Sequence, residues 1–167
     1  MNNELYLRAM EPEDLDVLYQ VENDRELWNV GVTNVPYSRQ ALQHFIANTT
    51  YDIYTDKQVR MMACVNQQVI GICDLVDFNP SHSRAEVGIM VMEPYRHQGY
   101  ATRILQQLAV YAHDVLHLHQ LYAYVDVENV VSRKLFKKVG FEDNVVVKDW
   151  VYDGCRYHDC LLMQFFL

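Results

Sequence analysis

Apolar and polar residues alternate over Leu5-Tyr6-Leu7-Arg8-Ala9, the period of a first β-strand with one buried face. The period then lengthens: Leu15, Leu18 and Tyr19, continued toward Glu22, recur at helical spacing. They follow Glu11-Pro12-Glu13-Asp14, which sets proline near the first helical position and acids in the first turn, where they complement the helix dipole. Ala41, Leu42, Phe45 and Ile46 predict a second helix capped by Ser38. Between the two, Leu27 to Tyr37 is punctuated by Gly31 and Pro36 and reads as loop. Three runs rich in Val, Ile, Met and Cys follow, Val59 to Val65, Val69 to Phe78 and Arg84 to Met92, separated by Asn66-Gln67-Gln68 and Asn79-Pro80-Ser81. They predict an antiparallel meander. Tyr100 to Leu116 carries one apolar stripe, Ala101, Ile104, Leu105, Leu108, Ala112, Val115 and Leu116, and predicts a long amphipathic helix. Gln120 to Val127 alternates as a strand, and Glu128 or Asn129 opens a short helix that ends at Gly140, with Phe141 packing back on it. Val145 to Tyr152 and Cys155 to Phe165 predict a closing hairpin turned at Asp153-Gly154.

Strands and helices interleave without repeats, and 167 residues fit a single domain, 1–167, with a sizeable core. Hydrophobic residues make up 50% of the chain and charged ones 22%, which excludes a disordered polypeptide. No apolar run reaches the roughly 18–20 residues of a membrane span. Met1 to Leu7 lacks the basic and apolar regions of a signal peptide, so a cytoplasmic protein is expected. The net charge of −8, with no basic tract beyond one helix end, speaks against nucleic acid as a partner and suits a cationic one. Cys64, Cys73, Cys155 and Cys160 show no CxxC pair and no metal-ligand spacing, and read as buried reduced thiols. His113, His117 and His119 lack a carboxylate that would complete a HExxH pattern and read as a solvated face; no metal site is expected.

The chemistry concentrates in Glu86-Val-Gly-Ile-Met-Val-Met-Glu-Pro-Tyr-Arg96-His97-Gln98-Gly99-Tyr100-Ala101-Thr102, a strand, a tight loop and a helix start. Amides of such a loop and of the helix's first turn converge on an anion with the positive end of the dipole behind them. Gly99 permits close backbone approach, and Ala101 is too small to block it.

This segment resembles the pyrophosphate loop, Q/R-x-x-G-x-G/A, of the GCN5-related N-acetyltransferase family. About thirty residues on, Asn129-Val-Val-Ser132-Arg-Lys-Leu135-Phe136-Lys-Lys-Val-Gly140-Phe141 is similar to that family's second signature. The resemblance implies an α/β (α+β) fold: a central mixed, mostly antiparallel, twisted sheet of about seven strands with helices on both faces. It implies acetyl-CoA as co-substrate. It implies that the strand before the loop splays from its neighbour at a bulge, so that Ile89, Met90, Val91 and Met92 bind pantetheine through backbone groups, one amide serving as an oxyanion donor. Arg96, His97, Gln98, Gly99, Tyr100, Ala101 and Thr102 would hold the pyrophosphate, with Asn129, Ser132 and Phe136 also at the cofactor.

Aminolysis of a thioester needs a neutral amine, so a base must take a proton from an alkylammonium whose pKa is near ~10. Glu86 occupies the place of the catalytic carboxylate of the histone-acetyltransferase branch; the alternative is a strand carboxylate paired with Arg84 or nearby backbone. Asn129 reads equally as a helix N-cap. Arg133, Lys134, Lys137 and Lys138 favour the helix C-terminus and are also candidates for the ribose phosphate. Glu22-Asn23-Asp24 and Trp28 fall where family members fold a lid over the acceptor, or form a polar helix end and a loop anchor. Phe136 departs from the family: many members carry there a tyrosine that protonates the departing thiolate. Tyr122 and Tyr124, solvent, or a loss of catalysis are the alternatives.

Within the family, Asp74-Leu-Val-Asp77-Phe-Asn79, Arg84-Ala-Glu86 and Tyr122…Val125-Asp126…Glu128-Asn129 are similar to the spermidine/spermine acetyltransferases. The expected reaction is direct acetyl transfer to a primary amine such as spermidine in a ternary complex. The alternatives are a protein N-terminal (ribosomal) acetyltransferase and a non-catalytic acyl-CoA-binding module. Exposed strand edges and family habit favour a homodimer or larger assembly.

Overall fold

The structure, a computed structural model, describes residues 4–25 and 35–167. Trp28 and most of the loop read between Leu27 and Tyr37 lie outside the described residues. Among the described residues seven strands form one sheet: β1 (Leu5–Ala9), β2 (Val59–Val65), β3 (Gln68–Asn79), β4 (Arg84–Val91), β5 (Gln120–Asp126), β6 (Glu142–Tyr152) and β7 (Tyr157–Phe166), in the spatial order β1-β2-β3-β4-β5-β7-β6. Every neighbouring pair is antiparallel except β4 and β5. That parallel pair requires a crossover, which α4 (Tyr100–Asp114) supplies.

The helices divide between the two faces. α4 and α5 (Val130–Val139) cover one, where Ile104, Leu105, Leu108 and Phe136 pack on Leu75, Val87, Leu121 and Met163. α1 (Leu15–Glu22) and α2 (Arg39–Asn48) cover part of the other, where Leu18, Leu42 and Ile46 meet Met10, Met62 and Ile72. Ser38 caps α2 as expected, its Oγ accepting the Ala41 amide at 3.1 Å. The Asp14 carboxylate accepts the Glu11 amide at 2.8 Å and two hydrogen bonds from the Arg8 guanidinium at 2.7 and 2.8 Å, tying β1 to the start of α1.

Several expectations are corrected. A short helix, α3 (Ile53–Asp56), stands where no period showed, because it buries one side chain only, Ile53. The long helix ends at Asp114, and Val115, placed on its apolar stripe, is exposed. Cys155 is exposed in the last turn rather than buried, while Cys64, Cys73 and Cys160 are buried. Burial pushes the Cys73 thiol up to about 12 and that of Cys160 up to about 11, which keeps both unreactive. The final turn lies one residue later than read: the Asp153 amide donates to the Arg156 carbonyl, which centres the turn on Gly154 and Cys155.

Candidate active site

β4 and β5 pair at three positions only, Arg84 with Gln120, Ala85 with Leu121 and Glu86 with Tyr122. Beyond Glu86 the strands part. Val87 to Val91 stay paired with β3 alone, and Ala123 to Asp126 with β7 alone. The opening coincides with a bulge, which lies in β3 rather than in the splaying strand. Asp77 and Phe78 oppose Ala85, and Asp77 sits at φ 48°, a left-handed conformation that aspartate tolerates better than most residues.

The exposed edge of β4 lines this cleft. The Met92 amide donates to the Ile70 carbonyl at 2.9 Å and its carbonyl accepts the Tyr95 amide at 2.9 Å, so the Met92 amide is turned to β3 and away from the cleft. Because successive peptide groups alternate in direction, Met90 also turns its groups to β3, and Ile89 and Val91 turn theirs into the cleft. The expectation that all four residues bind through backbone thus narrows to two. Gly71 holds the geometry: a Cβ there would lie 2.4 Å from the Met90 carbonyl oxygen.

At the end of β4 a single 3-10 turn, Glu93–Tyr95, leads into the loop. His97 (φ 61°) and Gly99 (φ 81°) are both left-handed, which aims the chain into α4. Among the described residues no protein group accepts a hydrogen bond from the amides of residues 97 to 102. Among the described residues no atom beyond the chain neighbours lies within 4 Å of the place a Gly99 side chain would take. These converging donors at a helix start suit a phosphate. The Arg96 side chain, expected to face the anion, turns back so that Nε donates to the Val91 carbonyl at 3.0 Å. On the far wall the Asn129 side chain caps α5, accepting the Ser132 amide at 3.0 Å, so the N-cap alternative for Asn129 is realised. Phe136 is 5% exposed with its ring edge-on to Phe141 at 4.9 Å. Arg133 and Lys137 both approach Asp143, at 3.7 and 2.6 Å.

The opposite face of the splay is acidic and aromatic. Val87 and Ile89 pack into the α4 side and Met90 into the α1/α2 side, so Glu86 and Gly88 share the latter face, as do Asp74, Tyr122 and Tyr124 by the same alternation. Glu86 is half-buried and, among the described residues, forms no ion pair with Arg84 or any other cation. Burial, and then the nearby Asp77 carboxylate, raise its pKa above the ordinary glutamate value. The Tyr122 hydroxyl donates to Asp77 at 2.5 Å. Arg60 binds Asp74 with two nitrogens, at 2.8 and 3.0 Å, and reaches Glu22 at 2.5 Å, so Glu22 belongs to a fixed ion-pair chain. Asn23 clamps Tyr37, its Oδ1 accepting the Tyr37 amide at 2.8 Å. The Tyr124 ring stacks on Trp150, a residue whose place in the predicted Val145 to Tyr152 strand gives no sign of the cleft. The bulge at Asp77 was missed as well; an aspartate inside a β run was its only signal.

A parallel strand pair that opens at its middle, with unpaired backbone on one wall and a donor-rich helix start at its end, defines a fold for transferring acyl groups from coenzyme A. The acetyltransferase (GNAT) domain model matches residues 4–142, and the chain belongs to this family. It is an acetyl-CoA-dependent N-acetyltransferase. The chain is 27% identical over 160 residues to a spermidine N(1)-acetyltransferase of Vibrio cholerae, covering 95% of this chain and 91% of the other. It is 28% identical over 163 residues to the Escherichia coli enzyme of the same name, covering 96% and 84%. A putative ribosomal N-acetyltransferase of Bacillus subtilis is 23% identical over 164 residues, covering 95% and 89%. Among solved structures, spermidine N-acetyltransferase from Vibrio cholerae in complex with CoA and spermine superposes with a TM-score of 0.88 at 26% identity, over 99% of this chain and 96% of that one.

Proposed function

We propose that the chain acetylates a polyamine such as spermidine, by direct transfer from acetyl-CoA within a ternary complex. The observation that carries this reading is the acidic face beside the splay, where Asp74, Asp77 and Glu86 lie together with Tyr124 and the exposed ring of Trp150. Carboxylates and aromatic faces both attract ammonium groups. The relatives that act on spermidine add to it.

In this reading acetyl-CoA lies along the cleft, its pyrophosphate on the amides of residues 97 to 102 and its pantetheine arm on Ile89 and Val91. Arg96 is released from the Val91 carbonyl to meet the phosphates. Asn129, Ser132 and Phe136 border the arm from the α5 side. Glu86 takes a proton from the incoming ammonium, directly or through water. Its raised pKa favours this, since a base whose pKa lies closer to working pH holds the proton it removes.

The test is thiol release from acetyl-CoA with spermidine, spermine, diamines, amino sugars and short peptides as acceptors. Polyamines are expected to give kcat/KM at least about a hundredfold above peptides. Turnover of peptide N-termini alone would make the chain a protein N-terminal acetyltransferase. Binding of acetyl-CoA without thiol release from any amine would make it a binding module.

A further inference from the structure

Direct transfer leaves one proton unassigned. When the carbonyl of the thioester is re-formed, the C–S bond breaks and its electron pair departs on the CoA sulfur, which then takes a proton. Phe136 has no hydroxyl and is 5% exposed. The Tyr122 hydroxyl is committed to Asp77 at 2.5 Å, and that residue is 8% exposed. Burial and the Asp77 hydrogen bond raise its pKa above the tyrosine value, so it holds its proton against transfer. The buried thiol of Cys73 packs on the opposite face of the sheet, against α4.

Tyr124 differs in each respect. It stands two residues beyond the last β4–β5 pair, Glu86 with Tyr122, and so forms the β5 wall where the strands have just parted. By register the residue across the opening is Gly88, which has no side chain to fill it. The Tyr124 ring is fixed on two sides, edge-to-face on Tyr122 at 5.9 Å and stacked on Trp150 at 5.2 Å. Its hydroxyl has no hydrogen-bond partner among the described residues, and its side chain is only partly buried. The arrangement is a rigid aromatic arm with an uncommitted donor, on the same face as Glu86.

We infer that the Tyr124 hydroxyl supplies the proton to the departing CoA sulfur, in place of the hydroxyl that Phe136 lacks. The inference rests on the acetyl-transfer reading above. Glu86 first passes the ammonium's proton to solvent; the amine nitrogen then forms the new C–N bond, and the second proton it sheds goes to Glu86. The C–S bond breaks, Tyr124 O–H protonates sulfur, and the resulting phenolate recovers a proton from Glu86 through water. The products are the acetamide and the CoA thiol, and the enzyme returns to its starting state. Trp150 acts as a positioning residue by holding the ring.

The experiment compares Tyr124→Phe with wild type at saturating acetyl-CoA and spermidine. The substitution keeps the ring and its stacking, so equal melting temperatures are expected. The inference predicts kcat lower by about tenfold to a hundredfold, with both KM values within about twofold. A kcat within about twofold of wild type would overturn it and leave solvent as the proton source. A rise in the spermidine KM without a fall in kcat would also overturn it, placing Tyr124 in the amine site alone. A wild-type chain that turns over no amine would strike the transfer reading itself; an active wild type with an unaffected variant strikes only the proton assignment.

Discussion

Single residues at the cleft act through backbone as much as through side-chain chemistry. Among the described residues nothing fills the place of a Gly99 side chain, yet its φ of 81° is a conformation that costs an L-residue about 1–2 kcal/mol. A Gly99→Ala chain is expected to fold and to lose that amount of stability. It is also expected to bind acetyl-CoA about tenfold more weakly, as the loop relaxes and its amides diverge; calorimetry reads this directly, and unchanged affinity would remove the loop from the anion site. The R-x-x-G-x-A string marked these positions because the need for a left-handed glycine is visible in residue type. The direction of Arg96 was not visible. Its guanidinium satisfies the Val91 carbonyl, a contact between residues five apart that depends on how β4 ends.

At the scale of elements, the anchoring of β1 to α1 through Arg8 and Asp14 has a measurable consequence. Burial alone would raise the Asp14 carboxyl, but the Arg8 hydrogen bonds and the Glu11 amide outweigh it and leave its pKa below the usual aspartate value. Stability from this pair is therefore full above about 4, the unfolded aspartate pKa, and is lost as pH falls through the lower folded value. Asp14→Asn is expected to cost about 2–4 kcal/mol in denaturant unfolding at neutral pH, because it leaves the Arg8 charge partly buried without its partner. That cost should shrink as pH falls below about 4 and vanish below the lower folded pKa, where the carboxyl is protonated in both states. Strand and helix periods were readable wherever an element buries a continuous face, as in β2, whose bounds Val59 and Val65 matched. They failed at α3, with its one buried side chain, and at the hairpin turn. There, the Asp153 carboxylate accepts the amides of Cys155 and Arg156, at 2.7 and 2.9 Å, and moves the turn along by one residue.

Across the whole molecule, one topological feature organises the rest. A single parallel pair in an otherwise antiparallel sheet gives a seam that can open, and the opening sets free backbone, loop amides and the acidic face around one point. The two motifs that resemble the acetyltransferase family pointed to the seam, since the first follows β4 and the second follows β5. The acidic face was harder to read, because it draws Asp74, Asp77, Glu86, Tyr124 and Trp150 from four strands that only the sheet register aligns. In the proposed reaction Glu86 takes the amine's proton at this point. Its most direct test is the pH dependence of kcat/KM for spermidine in wild type and in Glu86→Gln. Deprotonation of the free amine alone gives a slope of about one in log kcat/KM against pH below ~10. In wild type the slope is expected to steepen to about two below a pKa lying above the ordinary glutamate value of ~4.3, whereas in Glu86→Gln a much lower kcat/KM keeps the single slope throughout. A steepening that survives in Glu86→Gln, or a variant as active as wild type, would contradict it.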